Sequence, residues 1–158
     1  MQTSLPTRLA WLTAALLVFG LLATLAGARQ PQGLPQTGLP VIELRIGEQV
    51  ITAEVADTEP ARRHGLMFRE SLAENHGMLF VWDEPARYAM WMFNTPLPLS
   101  VAFIDTEGHI ANIAHMQPHS THVHEAVREV RYALEMEQGW FERHGIAAGD
   151  QVLGLPGL

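Results

Sequence analysis

Residues 77–105 combine three apolar segments with turn-forming residues between them, and this pattern limits the chain to a fold built on strands. Short apolar runs that are rich in Val, Phe and Trp and bounded by Pro, Gly or Asp are typical of buried strands. A polar insert, Asn94-Thr95-Pro96, separates the second segment from the third. Polar groups beside buried strands need hydrogen-bond partners or a ligand, so the insert is also a candidate site. The pattern predicts strands at 78–82, 88–93 and 100–105.

Further strand patterns lie on both sides of this stretch. Gly47-Glu48 forms a two-residue turn, which predicts a hairpin between strands at 41–46 and 49–56. In the segment 127–137, apolar residues alternate with Arg131 and Glu135. Many short strands with frequent turns and two short helices predict a mostly β, single-domain β-barrel or β-sandwich over residues 41–158. The remaining strands are predicted at 109–116, 127–137 and 151–155, and the helices after Thr58 and Gly139.

Residues 1–28 have the features of an export segment. Arg8 is their only charged residue, an apolar centre follows, and Ala26-Gly27-Ala28 matches the small-x-small pattern that signal peptidase cleaves. The uncharged part also reaches the ~20 residues that span a bilayer, so an uncleaved membrane anchor is the alternative. Both interpretations predict an extracytoplasmic protein, periplasmic or secreted, that contacts the membrane only through this segment. Residues 29–40 are rich in Pro, Gly and Gln and predict a flexible tether.

The charge balance and the missing residue types exclude several functions. From residue 29 onward nine arginines face 17 acidic residues, a net charge of −8, and the chain has no Lys. This balance argues against nucleic-acid binding, which requires a basic surface to neutralise phosphates. The chain also has no Cys, so disulfides and thiolate catalysis are excluded and the apolar core must stabilise the domain.

The polar insert supports a ligand site at Trp91, Asn94 and Thr95, with Asp105 as a further candidate. Thr95 precedes a proline and is restricted to extended geometry, and the Asn94 amide can bond within its own turn. One interpretation is that both residues only close the turn. The other is that they line a pocket with aromatic walls, which is the usual form of a site for a small neutral or polar ligand.

Four histidines, His115, His119, His122 and His124, bracket a polar loop and form a second candidate site together with Met116. Imidazole binds zinc and copper, and a thioether suits copper. Residues two apart on a strand share a face, so His122 and His124 could reach one ion. The spacing matches no familiar zinc motif, so the alternative is an exposed loop with incidental metal affinity.

The sequence contains no recognisable catalytic set and no evident cofactor motif. There is no Gly-x-Ser-x-Gly elbow, and Ser71, Ser100 and Ser120 have no base at a fixed spacing. The leading hypothesis is therefore a non-enzymatic binding or accessory module for a small molecule or an envelope component. Copper or zinc binding through the loop at 115–124 is the alternative. A hydrolase with unfamiliar residues is the third hypothesis, and a pocket group with a strongly shifted pKa would favour it.

Several motifs of the chain resemble, in their order, those of the domain of unknown function 192 family. They are 63–69 (RHGLMFR), 77–80 (GMLF), 91–99 (WMFNTPLPL), 104–108 (IDTEG) and 145–152. The resemblance covers nearly the whole chain from residue 41. It implies a small, mostly β domain that bacteria usually export and that has no established activity or transferable catalytic residue.

Two positions depart from the pattern of that family. Phe93 and Ser100 stand where members commonly carry Lys and Asp. If that Lys and Asp contact a ligand in relatives, this chain lacks both charges, which argues against a charged ligand. If they form a buried ion pair, apolar packing replaces it in this chain, an exchange that is often energetically neutral.

Overall fold

The computed structural model describes residues 33–158, so the predicted export segment and the start of the predicted tether lie outside the described residues. Nine strands and two short helices form within 33–158, and no helix in this part of the chain is long and apolar enough to cross a membrane. The strands are β1 (Val41–Ile46), β2 (Gln49–Ala56), β3 (His76–Ala86), β4 (Ala89–Met90), β5 (Leu99–Ile104), β6 (Ile110–Met116), β7 (His124–Glu125), β8 (Val130–Glu137) and β9 (Val152–Leu153). The helices are α1 (Glu59–His64) and α2 (Trp140–Arg143).

Seven of these strands form one curled sheet in the order β6-β5-β8-β3-β2-β1-β9, and β4 and β7 pair separately. All neighbours in the large sheet are antiparallel except β2 and β3, which run parallel. A parallel pair needs a crossover connection, and α1 lies in that connection. The predicted mostly β fold with two short helices is therefore confirmed.

The hairpin of β1 and β2 forms at the predicted turn. Gly47 has a φ of 56°, in the left-handed region that glycine tolerates best. Leu44 and Ile46 are buried, whereas Glu43 and Arg45 are exposed, as the alternation predicts. The conformation of the turn and the alternation of buried and exposed side chains therefore agree in this hairpin. Together they set the register of β1 on β2.

Helix α1 is short and has clear limits. Thr58 caps it by accepting a hydrogen bond from the Ala61 amide at 3.3 Å, and Pro60 lies in the first turn. Gly65 ends the helix with a φ of 51°. Ala61 is buried against the sheet, so the crossover lies over one face of the central strands.

The described part of the predicted tether, 33–40, has no helix or strand and contacts α1. Gln36 Nε2 donates to the carbonyls of Ala61 at 3.1 Å and Gly65 at 2.8 Å. His64 Nε2 donates to the Leu34 carbonyl at 3.0 Å. The Ala61 carbonyl also accepts the Gly65 amide, so the new partner that this segment supplies at the end of α1 is the one for the Gly65 carbonyl.

The large sheet is covered on both faces. Tyr132 and Leu134 of β8 pack on one face with Phe141 of α2. Ala133 packs on the opposite face with Met92, in the cluster that also contains Ala61 of α1, and this side is called the α1 face. Strands buried on both sides read as continuous apolar runs, which explains the sequence at 78–81.

The predicted strand at 88–93 is wrong for most of its length. Only Ala89 and Met90, the two residues of β4, pair with a strand. From Met92 the chain turns, because the Thr95 amide donates to the Met92 carbonyl at 3.1 Å and Asn94 has a φ of 53°. Met92 is buried on the α1 face as part of a loop, so its apolar character reflects packing and not strand pairing.

Candidate functional site

A pocket of about 330 Å³ opens on the α1 face, between α1, β3, β4 and the loop that follows β4. Its walls combine apolar and aromatic side chains, namely Phe80, Trp82, Met90 and Trp91, with polar and charged side chains. A larger depression of about 610 Å³ lies beside the β1–β2 turn, but its polar lining residues are mostly exposed. Ligand sites combine apolar walls with a few fixed polar groups, so the aromatic pocket is the candidate site.

Glu135 lines this pocket, and its side chain is buried, with 3% of the residue exposed. It lies on β8 opposite Met78 of β3 and Val101 of β5, and Ala133 precedes it on the same face. No residue within 33–158 supplies a hydrogen bond or a charge to the carboxyl, and burial raises the pKa of Glu135 to about 8. The group is therefore mainly a neutral carboxylic acid near pH 7.

Glu135 is the residue that the sequence analysis missed. Arg131 and Glu135 alternate with apolar residues as they do on a strand with one solvent face, but α1 and the loop around Met92 cover that face. Two signals point to this burial: Ala133 lies between the two charged residues, and residues 78–81 are apolar without alternation. Arg131 stays partly exposed and donates from Nε to the Trp82 carbonyl at 3.1 Å.

Stacked aromatic rings form the wall of the pocket. The Trp82 ring stacks on Tyr88 with centroids 3.9 Å apart and lies 6.2 Å from the Phe80 centroid. Trp91 is 49% exposed and stacks at 5.3 Å on Phe93, which does not line the pocket. Stacked aromatic side chains therefore supply much of the apolar surface of the pocket.

Charged side chains of α1 also lie at the pocket, and they are engaged within the protein. Arg62 Nη1 donates to two main-chain carbonyls, including that of Val81 at 2.7 Å. Arg63 pairs with Glu59 one helical turn away. Neither guanidinium lowers the pKa of Glu135, which reflects burial alone.

The structure brings two of the four predicted ligand residues to the pocket. Trp91 and Thr95 line it, and Thr95 is 4% exposed. Thr95 Oγ1 donates to the Phe93 carbonyl at 3.2 Å. Asn94 does not line the pocket, and its carbonyl accepts the Phe68 amide at 2.8 Å. The polar insert thus closes a turn and also contributes to the wall, so each interpretation describes part of it.

Asp105 does not line the pocket and lies between β5 and β6. Its carboxylate accepts the amides of Glu107 at 3.0 Å and His109 at 2.9 Å, and it pairs with Arg128 at 2.8 Å. Burial acts to raise the pKa of Asp105, but the hydrogen bonds from His109, Arg128 and Glu107 outweigh it and hold the pKa below its usual value. The carboxylate is therefore satisfied within its turn.

The five candidate metal ligands do not converge on one point. Met116 is fully buried in the core, and the amide of His119 donates to a carbonyl of the polar insert at 3.0 Å. The rings of His122 and His124 lie edge to face with centroids 4.8 Å apart, and burial together with the charge of His122 lowers the pKa of His124. Across residues 33–158, no three His, Asp or Glu side chains are placed to hold an ion. His115 instead contacts Ser100 and Glu142.

His115 forms a Ser-His-Glu arrangement that the sequence did not reveal. Ser100 Oγ lies 2.9 Å from His115 Nδ1, and His115 Nε2 lies 2.8 Å from Glu142 Oε1. Such a chain activates a serine only where a substrate can reach the hydroxyl. Ser100 is 0% exposed, and its Oγ accepts the Gly139 amide at 3.1 Å. The arrangement therefore connects β5 and β6 to the start of α2 and offers no accessible nucleophile.

Residues 42–154 match the model of a family described as domain of unknown function 192, "Uncharacterized ACR". The chain belongs to this family, abbreviated DUF192. No curated protein matches the chain. Membership in DUF192 therefore establishes the relationship and the fold without supplying an activity.

Two crystal structures are similar to this DUF192 chain. One is described as a proposed transcription regulator from Sinorhizobium meliloti 1021, with 33% identity, a TM-score of 0.71, and coverage of 74% of this chain and 95% of that one. The other is a protein of unknown function from Novosphingobium aromaticivorans DSM 12444, with 32% identity, a TM-score of 0.72, and coverage of 82% and 96%. Both share the β fold of the described domain.

The two positions that depart from the DUF192 pattern lie in different environments. Phe93 is 43% exposed and stacks on Trp91. Ser100 is fully buried and bonds His115 and Gly139. The hypothesis that apolar packing replaces a buried ion pair is therefore wrong at Phe93, because its ring lies at the surface.

Proposed function

We propose that this DUF192 protein is a non-enzymatic binding module that acts outside the cytoplasm and takes a small molecule, or an exposed group of an envelope component, into the aromatic pocket. The supporting observation is the Glu135 carboxyl, which lines the pocket beside apolar side chains and has no hydrogen-bond partner within residues 33–158. In this part of the chain, Arg69 Nε is the one fully buried side-chain polar atom without a hydrogen bond, so the Glu135 oxygens keep contact with the pocket. A ligand in the pocket supplies the hydrogen-bond partner that the carboxyl lacks.

The other polar groups of the pocket support binding more than catalysis. Thr95 Oγ1 donates to a main-chain carbonyl, and His64 Nε2 donates to the Leu34 carbonyl. Neither side chain is therefore paired with the other as nucleophile and base. The aromatic walls supply contact area, and Glu135 supplies one directional polar contact.

A thermal-shift screen with sugars, amino acids and envelope fragments tests the proposal. A ligand at about 100 times its Kd stabilises the folded state by about 2.7 kcal/mol, which a melting curve resolves readily. We expect Trp91→Ala to weaken binding of any hit, because this variant removes a wall. Phe93→Ala is the matched control, since Phe93 has similar exposure and stacks on Trp91 but does not line the pocket. Equal loss of affinity in both variants, or no hit, would overturn the proposal.

A hydrolase is the second candidate, and one observation favours it. A carboxylic acid with a pKa of about 8 in a pocket suits a general acid, because it is protonated at neutral pH. Chromogenic ester and glycoside substrates provide the test. Turnover by the wild-type protein that Glu135→Gln abolishes, while Glu137→Gln preserves it, would replace the binding proposal with an enzymatic one.

Copper or zinc binding through the loop at 115–124 rests on the contact between His122 and His124. A joint His122→Ala and His124→Ala variant is expected to lose affinity for the ion, as measured by calorimetry with copper and with zinc. His76→Ala is the control, because His76 is an exposed histidine at the start of β3. Unchanged affinity in the double variant would remove this candidate.

The proposed location rests on residues 1–28 and their small-x-small pattern. Fractionation of cells that express the full chain, followed by N-terminal sequencing, tests it. A product that begins at residue 29 in the periplasm or medium indicates cleavage, and an intact chain in the membrane fraction indicates an anchor. An intact chain in the cytosol would contradict both.

A further inference from the structure

We propose that the aromatic pocket selects ligands that carry a cationic nitrogen group, an ammonium or a guanidinium, and that the Glu135 carboxylate is its counter-ion. This inference deepens the proposed binding function and rests on it. It goes beyond that function by naming the chemical class of the ligand.

The position of Glu135 in the sheet is the first argument. Its register partners on β3 and β5 are Met78 and Val101, so the carboxyl is bounded by apolar side chains on both sides. A ligand group that contacts this carboxyl loses its hydrating water. Hydrogen bonds between an ionised donor and a carboxylate are about twice as strong as neutral ones, so a cation compensates for this desolvation better than a neutral group does.

The two tryptophans of the pocket are the second argument. Trp82 and the half-exposed Trp91 line the pocket, and indole is the strongest of the aromatic partners for a cation. Carboxylate and indole therefore favour the same ligand charge. The net charge of −8 from residue 29 onward acts in the same direction at longer range.

Within residues 33–158, no cationic side chain pairs with the Glu135 carboxyl. Met78 and Val101 are uncharged, and Glu54, which follows Met78 in the same row of the sheet, pairs with Arg69 at 2.7 Å. The two arginines of α1 are engaged with main-chain carbonyls or with a glutamate of the same helix. None of these groups contributes to the pKa of Glu135. The titratable or charged side chains that line the pocket with it all lie on α1: Glu59, Arg62, Arg63 and His64.

Binding of a cation by this site releases a proton. Near pH 7 the Glu135 carboxyl is mainly protonated, because burial raises its pKa to about 8. When the cation enters, the carboxyl O–H bond breaks, the proton passes to solvent and the ionised oxygen contacts the cationic nitrogen group. A neutral ligand would instead accept a hydrogen bond from the protonated carboxyl and release no proton.

Calorimetry with matched probe pairs tests the inference on the full chain. The cationic probes are methylguanidinium and benzylammonium, and their neutral counterparts are methylurea and benzyl alcohol. We expect each cation to bind at least about tenfold more tightly than its counterpart. Titrations in buffers of different ionisation enthalpy should show release of nearly one proton. The affinity for methylguanidinium should rise about tenfold per pH unit up to about pH 8 and then level off.

Variants assign the effect to Glu135. Glu135→Gln keeps the shape of the side chain and should lose both the cation preference and the proton release. Glu137→Gln is the control, since Glu137 is on the same strand but exposed and paired with Arg143. His64→Asn removes the histidine that lines the pocket, and the pH profile should persist in this variant. A circular dichroism melt of each variant shows that it is folded.

The outcomes separate this inference from the binding proposal. Neutral probes that bind as tightly as the cations, with loss in Trp91→Ala, would overturn the cationic preference and leave the pocket function intact. Retained cation preference in Glu135→Gln, or a pH profile lost in His64→Asn, would overturn the assignment to Glu135. Failure of all four probes to bind would also overturn the inference, whereas the broader ligand screen decides the proposed function.

Discussion

Glu135 on β8 lies directly opposite Met78 on β3, and both residues are buried on the α1 face of the sheet. A carboxyl in such a position loses its hydration, and the neighbouring thioether is at most a weak hydrogen-bond acceptor. The burial of Glu135 beside Met78 therefore makes the free energy of unfolding depend on the protonation of Glu135.

The free energy of unfolding should fall as pH rises through the range in which Glu135 ionises. The carboxyl ionises near its ordinary value of 4.5 in the unfolded chain and at about 8 in the folded protein. The contribution of the protonated Glu135 carboxyl to the free energy of unfolding is therefore fully present below about pH 4.5 and is lost as pH rises to about 8. The difference between the two pKa values corresponds to a few kcal/mol, since one unit is about 1.4 kcal/mol.

Urea denaturation of Glu135→Gln at about pH 5 and about pH 8.5 measures this effect. The variant should match the wild-type protein at the lower pH and exceed it by about 2–4 kcal/mol at the higher pH, because the amide cannot ionise. Glu137→Gln serves as the control for the loss of one carboxylate. Its difference in stability from the wild-type protein should not grow between the two pH values. A constant difference between Glu135→Gln and wild type would show that Glu135 does not ionise in this range.

Ser100→Ala should destabilise the protein by about 1–3 kcal/mol, because it leaves the Gly139 amide without its acceptor and removes the contact with His115. Ser120→Ala is the comparison, since Ser120 Oγ accepts the His122 amide at 3.1 Å in an exposed loop, and its cost should stay within about 0.5 kcal/mol. Chemical denaturation measures both variants. Equal costs would mean that the buried chain of hydrogen bonds adds little to stability.

The fold class follows from local signals in the sequence. The β1–β2 hairpin is specified by Gly47 and by the alternation of Leu44 and Ile46 with polar residues, all within a few positions of one another. The predicted strand at 88–93 failed because Met92 is apolar for a different reason, namely burial in a loop. Local pattern distinguishes buried from exposed residues better than it distinguishes a strand from a packed loop.

The site was only partly predictable because it depends on contacts between distant segments. Trp91 and Thr95, which the polar insert within one apolar stretch indicates, line the candidate pocket. Glu135 becomes a pocket residue only because α1, far earlier in the chain, covers its face of β8. Ser100 and His115 meet across the β5–β6 pair, so their contact depends on strand register, which spacing in the sequence does not give.

Asn75 should be replaceable by Asp but not by Ala. Its side-chain oxygen accepts the Trp140 Nε1 hydrogen at 2.9 Å, and its φ of 54° lies in the left-handed region that Asn and Asp tolerate. We expect Asn75→Ala to cost about 2 kcal/mol and Asn75→Asp less than about 1 kcal/mol. Urea unfolding followed by tryptophan fluorescence measures both. A cost below about 0.5 kcal/mol for Asn75→Ala would show that neither the hydrogen bond nor the backbone conformation matters at this position.

Gly77→Ala should strongly disrupt the central sheet. A Cβ at Gly77 would lie 2.4 Å from the Glu135 carbonyl oxygen and 2.4 Å from Met136 Sδ, so β3 and β8 would have to separate. We expect a loss of at least about 3 kcal/mol in urea denaturation, comparable with severe overpacking. Gly145→Ala is the control: its φ is 66° with no atom within 4 Å, so it should cost only about 1–2 kcal/mol from backbone strain. A smaller loss at Gly77 than at Gly145 would show that the strand pair which positions Glu135 can shift at little cost.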